Sequence, residues 1–371
     1  MTYRRLLFVF LLSVSAFPRL AHAQLSPNAT VWATGLNAPR GIKFGPDGYL
    51  YVAEAGLGGS LSTAGACAQV VPPVGPYLGG QTGRISKVDP QANVSTVAAG
   101  LASTVDSEGD LMGVADLAFL DGTLYALVAG GGCSHGNPTL PNGIYKIDQT
   151  AGTGSLFANL DSYLKHHPAE YENPADFEPD GSFYSMIVNN GKLLTVEPNH
   201  GQIFSTDAQG TIEEILDVSA SQGHIVPTTL FAYKDNLYLG NLGLFPIDPT
   251  TARLMTISPF NCFVEPVAGL QDSNVTLNIV HSKAGFTTIV GLTIGPDGLV
   301  YVLELSDAAG YPTPGAGDVV RISATGQIET VATGLTLPTA MTFGSDGKLY
   351  VSNFGAYNEA GSGQIVQVDV N

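Results

Sequence analysis

The sequence predicts an all-β fold: a single six-bladed β-propeller whose N-terminal strand closes the last blade. Three observations predict it, namely a turn-rich composition, a hairpin string written six times, and a second short string that alternates with the first. The chain has 45 Gly, 23 Pro and 15 Tyr with only 13% charged residues. That balance suits many short strands joined by turns better than helices.

The hairpin string appears as FGPDGYLYVAE (44–54), FLDGTLYALV (119–128), IVNNGKLLTVE (187–197), FAYKDNLYLGN (231–241), IGPDGLVYVLE (294–304) and FGSDGKLYVSN (343–353). Each reads as strand, turn, strand, and Asp-Gly or Asn-Gly supplies the positive φ angles of a tight primed turn. Asp47, Asp297 and Asp346 are therefore read as turn residues. The second string, WATGL, VAAGL, LFANL, ILDVS, VAGL or VATGL, ends each unit. Units of about 50 to 65 residues with four short strands are propeller blades. Two packed β-sandwiches would leave the alternation unexplained. After its last hairpin the chain has one more strand, GQIVQVDV (363–370), and lacks a closing GL strand. NATVWATGL near the N-terminus supplies it, which leaves no open sheet edge.

The first 23 residues carry Arg4 and Arg5, an apolar run and Ala21-His22-Ala23, the order of a secretory signal. The expectation is a secreted or periplasmic protein, residues 24–371 forming one domain, with no membrane span. Removing residues 1–23 takes three of 15 Lys+Arg and none of 32 Asp+Glu, so the net charge goes from -17 to 12 - 32 = -20. Such acidity argues against nucleic acid as a partner. Of three cysteines, Cys67 and Cys133 are the pair expected to form a disulfide, because they fall in adjacent blades on one face, leaving Cys262. Asn28, Asn93 and Asn274 lie in glycosylation sequons.

The six turns share one face, so the long segments 55–83, 129–143, 307–317, 354–363, 102–112, 161–181 and 271–286 share the other. A rigid scaffold presents a binding site this way. At the end of each second strand stand Glu54, Val128, Glu197, Asn241, Glu304 and Asn353. Their oxygens nominate a ring for Ca²⁺ or another divalent cation, or strand caps that satisfy backbone groups. Asn199 and His200 extend the ring beside Glu197. Asp176, Glu178 and Asp180 imitate the start of an EF-hand loop, although Ile187 replaces its bidentate Glu. His166 and His167 read as caps of a short helix. The chain contains no GxSxG, HExxH or Walker motif.

The segments ATGLNAPRGIKFGPDGYLYVAEAG, NPADFEPDGSFYS and VEPNHGQIF, in that order, resemble the ScyD/ScyE family of exported propellers. The resemblance implies an exported six-bladed propeller and brings no assigned catalytic residues. More distantly the blades are similar to NHL repeats and to the senescence-marker/gluconolactonase group, which implies a divalent metal on Glu54, Glu197, Asn241, Glu304 and Asn353. The leading expectation is a monomeric module that binds a small molecule, protein or glycan on the loop face. A metal-dependent hydrolase or lactonase using the same ring is the alternative. A quinone-cofactor dehydrogenase would want a basic, His-rich pocket, against the acidic face.

Overall fold

The computed structural model describes residues 24–233, 236–258, 278–356 and 359–370. Residues 1–23, expected from the sequence to be a secretory signal, Cys262 and the sequon at Asn274 lie outside the described residues. Among those described, six antiparallel sheets form the six blades of a propeller. Blade 1 comprises β2 (Pro39–Phe44), β3 (Leu50–Glu54), β4 (Leu78–Val88) and β5 (Val94–Val105), with β6 (Leu111–Met112) at its edge. Blade 2 comprises β7 (Val114–Leu120), β8 (Thr123–Val128), β9 (Gly143–Asp148) and β10 (Thr153–Ala158), and blade 3 β11 (Ser185–Asn189), β12 (Lys192–Glu197), β13 (Gln202–Thr206) and β14 (Ile212–Asp217). Blade 4 comprises β15 (Pro227–Tyr233), β16 (Asn236–Asn241), β17 (Ala252–Ser258) and β18 (Asn278–Phe286). Blade 5 comprises β19 (Ile289–Ile294), β20 (Val300–Glu304), β21 (Gly317–Ile322) and β22 (Ile328–Leu335). Blade 6 takes β23 (Ala340–Phe343), β24 (Leu349–Asn353) and β25 (Gly363–Val368) from the end of the chain and β1 (Ala29–Leu36) from its start. The closing register runs from Ala29 opposite Val368 to Leu36 opposite Gly363.

The repeated hairpin has two solutions where a primed turn was expected throughout. Blades 2 and 3 use the two-residue turn, with Asp121 and Gly122 at φ 49° and 75° and Asn190 and Gly191 at 48° and 72°. Blades 1, 5 and 6 use five-residue loops in which only Gly48, Gly298 and Gly347 have positive φ, at 78°, 77° and 78°. There the Asp is a fastener. Asp47, Asp297 and Asp346 each accept a hydrogen bond from a tyrosine hydroxyl four residues on, Tyr51, Tyr301 and Tyr350, at 3.0, 2.9 and 2.9 Å. A Cβ on Gly45, Gly295 or Gly344 would stand 2.5, 2.4 or 2.8 Å from the same tyrosine ring. The string G-x-D-G-x-x-Y is thus one packed unit, which explains its near-identity three hundred residues apart.

Hydrophobic contact between neighbours holds the ring together. Blades 1 and 2 share a core around Ile85, Leu117 and Leu124, blades 2 and 3 one around Phe183 and Phe204, and blades 5 and 6 one around Tyr301 and Val351. Each such fully buried side chain contributes about 1.5–3 kcal/mol. On the loop face β4 and β5 extend to pair Gly79 with Thr104, so part of segment 102–112 is strand. Cys67 and Cys133 are joined in a disulfide between the loops of blades 1 and 2, Cα atoms 6.4 Å apart. The helix α1 (Leu160–His166) starts at Asn159, whose side chain accepts the Ser162 N–H, and ends at His166 and His167, whose Nδ1 atoms bond the Ser162 and Tyr163 carbonyls. Among the described residues no helix is long and apolar enough to cross a membrane.

Candidate functional site

The first strands β2, β7, β11, β15, β19 and β23 touch one another in sequence around the axis and back to β2. They enclose a central channel with a cavity of 380 Å³. Its charged lining residues are Arg40, Lys43 and Asp116, from blades 1 and 2. Asp116 is buried and braces three blades: it accepts the Leu117 N–H and, from blade 3, the Met186 N–H, each at 2.8 Å, and pairs with Lys43 at 3.4 Å. Burial pushes its carboxyl above the usual range, and Lys43 with the two N–H groups offsets only part of that. Tyr184, just ahead of β11, spans the channel and donates its hydroxyl to the Thr339 carbonyl ahead of β23, 2.9 Å away. Burial pushes the Tyr184 phenol up to about 12, while the Arg40 guanidinium beside it pulls the other way. Arg40 also donates to the Leu111 carbonyl.

The strand-end ring lies elsewhere. None of Glu54, Glu197, Asn241, Glu304 and Asn353 lines the channel. Each is buried and fastened to the segment that enters its own blade. Glu54 accepts the Asn37 N–H at 2.6 Å and Arg84 Nε at 2.8 Å. Glu197 accepts the Ser182 N–H at 2.7 Å and the His200 N–H at 2.5 Å. Asn241 donates to the Ile225 carbonyl at 2.9 Å, Glu304 accepts the Thr287 N–H, and Asn353 accepts the Thr336 N–H at 2.7 Å. Val128 has no such group. Oxygens already committed to backbone donors in five separate blades do not fit a shared metal ion. Among the described residues no group of three or more His, Cys, Asp or Glu side chains is placed to hold a metal.

The acidic loop is likewise opened out. Asp176 pairs with His224 at 2.7 Å, Glu178 with His135 at 3.3 Å and Asp180 with Lys165 at 2.5 Å. Three carboxylates at EF-hand spacing therefore face three different partners, from the lead-in to blade 4, the long loop of blade 2 and α1. Asn199 ties the loop to blade 3, accepting the Glu178 N–H at 2.9 Å and donating to the Asp176 carbonyl. Burial opposes the charge on His135, but Glu178, Asp180 and the Gly131 carbonyl outweigh it and raise its pKa. The same competition, with Glu197 as the main partner, raises His200, and His200 in turn holds Glu197 below the usual carboxylate range against burial.

No protein family is matched by the sequence, and no curated protein is. Solved structures are similar in fold. The calcium-binding protein regucalcin from Agrobacterium tumefaciens is 14% identical with a TM-score of 0.53 over 92% of each chain. A PQQ-bound aldose sugar dehydrogenase from Streptomyces coelicolor is 15% identical, TM-score 0.51, over 94% of this chain and 99% of that one. An auxiliary nutrient binding protein from Bacteroides thetaiotaomicron is 9% identical, TM-score 0.53, over 93% and 76%. At these identities the likeness shows the propeller alone.

The channel residues Arg40, Lys43, Asp116 and Tyr184 escaped the sequence reading. A signal for the first three exists: in PRGIKF and VADLAFL, charged residues interrupt first strands that in blades 5 and 6 read IVGLTI and AMTF. Gly41 belongs with them, because a Cβ there would stand 2.0 Å from Asp116 Oδ1.

Proposed function

We propose that this is an exported propeller of the ScyD/ScyE type that binds a small molecule in its central channel, entered from the long-loop face. One observation carries the reading: a 380 Å³ cavity on the propeller axis whose apolar wall is broken by Arg40, Lys43, Asp116 and Tyr184. Ligand sites are concave and mostly apolar with a few convergent polar groups, and this cavity is at the small end of their usual size range. The metal-dependent hydrolase reading loses its main support, since the ring oxygens are held by backbone donors. The disulfide and the clasped acidic loop give the face the rigidity that a preformed site needs.

The test is binding of a small-molecule library to the mature protein and to Thr342→Trp, which places an indole in the channel from a half-buried lining position. Ligands of the wild type should be lost in the variant, at an unchanged melting temperature. Ligands that bind both proteins alike would move the site out of the channel.

A further inference from the structure

We propose that the channel ligand is a small organic acid whose carboxylate is received by Arg40 and Lys43 beside the Tyr184 hydroxyl. The inference rests on the channel-binding reading and adds the ligand's charge class. It starts from an inversion of charge. Over the whole chain acids outnumber bases 32 to 15, yet in the channel lining the bases are Arg40 and Lys43 and the acid is Asp116 alone. Asp116 is turned inward onto the Met186 and Leu117 N–H groups and pairs with Lys43, so two bases face one committed acid and the bore is cationic inside an anionic protein.

Hydrogen-bond capacity points the same way. The Thr228 hydroxyl donates to the Ile289 carbonyl at 2.5 Å, the Thr339 hydroxyl to the Pro39 carbonyl at 2.7 Å, and the Tyr184 hydroxyl to the Thr339 carbonyl at 2.9 Å. These protons are committed to the scaffold. The Thr229, Thr293 and Thr342 hydroxyls also line the cavity, but the charged donors that a ligand can recruit are the guanidinium and ammonium N–H groups, five on Arg40 and three on Lys43. They favour a carboxylate over a neutral sugar or polyol, because a charge-assisted hydrogen bond is roughly twice as strong as a neutral one. The planar fork of Arg40, held by the Leu111 carbonyl and Tyr184, is ordered in advance for such an acceptor. The acidic exterior also repels anions in bulk, so recognition has to come from inside the bore.

The experiment uses matched pairs that differ in charge more than in size: gluconate against glucitol, benzoate against benzyl alcohol, and quinate against inositol. Binding to the mature protein is read by calorimetry at low and high salt, with Arg40→Met, Arg40→Lys and Thr342→Trp as variants. The expected result is that at least one carboxylate binds ten times or more tighter than its neutral partner and weakens as salt is raised. Arg40→Met should cost it tenfold or more, and Arg40→Lys should keep part of the binding. Neutral partners binding as well as the acids, insensitive to Arg40→Met but lost in Thr342→Trp, would overturn the acid assignment and leave channel binding standing. Inorganic phosphate binding as tightly as every carboxylate would also overturn it. If no acid binds at millimolar concentration the inference fails, and if Thr342→Trp leaves every ligand unaffected the channel reading fails with it.

Discussion

Asp318→Asn is the sharpest test of how polar groups are handled in these blades. Asp318, the second residue of β21, lies directly opposite Glu304 at the end of β20. Glu304 accepts the Thr287 N–H, and Asp318 Oδ1 has no hydrogen-bond partner among the described residues. Burial, then the charges of Glu304 and Asp307, raise Asp318 from 3.8 to about 8. A folded pKa above the unfolded one means that between those values the native state holds a proton that the unfolded chain has released. Stability must then fall as pH rises through that window, with the full penalty above pH 8. At about 1.4 kcal/mol per unit the gap sets an upper bound of about 6 kcal/mol, and rotation of a strand-end carboxylate toward water would absorb roughly half. Roughly 350 residues at about 2.1 cal/mol/K each give an unfolding entropy of about 0.7 kcal/mol/K. The variant should therefore melt about 4 °C higher than wild type at pH 8.5 and no higher at pH 4. Blade 6 indicates that amides fit this position, since Asn353 donates to Gln364 Oε1 at 3.3 Å at the same register. The assay is calorimetric melting of both proteins from pH 4 to 9. A difference that stays constant across that range would refute the account in which native Asp318 holds a proton.

Three further outcomes are expected. Glu197→Gln breaks a buried pair with His200 and should lower the melting temperature by about 4–7 °C, from about 3–5 kcal/mol, identically with Ca²⁺ and with chelator; a drop confined to the Ca²⁺ sample would restore a metal role. Replacing Cys67 and Cys133 by Ser opens a loop of 66 residues, which in the chain-entropy picture is worth about 4 kcal/mol or about 6 °C, and a melting point within a degree of wild type would show that the clasped loops do not need it. Glu178→Gln removes the partner that raises His135, so the imidazole should titrate lower by NMR; the stability that the charged form adds, present at low pH and lost as pH rises through its folded pKa, should shrink with it.

The blades were legible because their signals are local. A turn that needs Asp-Gly or Asn-Gly writes itself into a few residues, and a G-x-D-G-x-x-Y unit writes its packing there too. The closure of blade 6 was legible because one strand was missing at one end and in excess at the other. The site was less so. Aligning hairpins correctly made Glu54, Glu197, Asn241, Glu304 and Asn353 equivalent, and that equivalence leaves two uses open, a shared cation ring and separate strand caps. Equivalent strand ends in separate blades point into equivalent but separate places. The EF-hand likeness at Asp176, Glu178 and Asp180 is likewise confined to the local string, since the partners of those carboxylates, His224, His135 and Lys165, come from three other segments. Arg40, Asp116 and Tyr184 meet only because three blades surround one axis, and no local string records that meeting.

What separates the ring from the channel is the accounting of donors and acceptors. A segment crossing into a blade presents an N–H that the sheet ladder does not use, and a buried N–H without an acceptor costs about as much as a lost hydrogen bond. Glu54, Glu197, Glu304 and Asn353 each supply that acceptor. Glu and Asn serve this task equally, so the mixture of acids and amides around the ring follows from it, whereas a metal site would favour charge. In the channel, Gly41 is kept bare so that Asp116 can lie against it, Tyr184 reaches across to the opposite blade, and Arg40 and Lys43 bring cationic N–H groups to the cavity lining. On the reading proposed above, those cationic groups are the ones that would meet a ligand's acceptor, and the ring oxygens, spent on backbone N–H groups, are not.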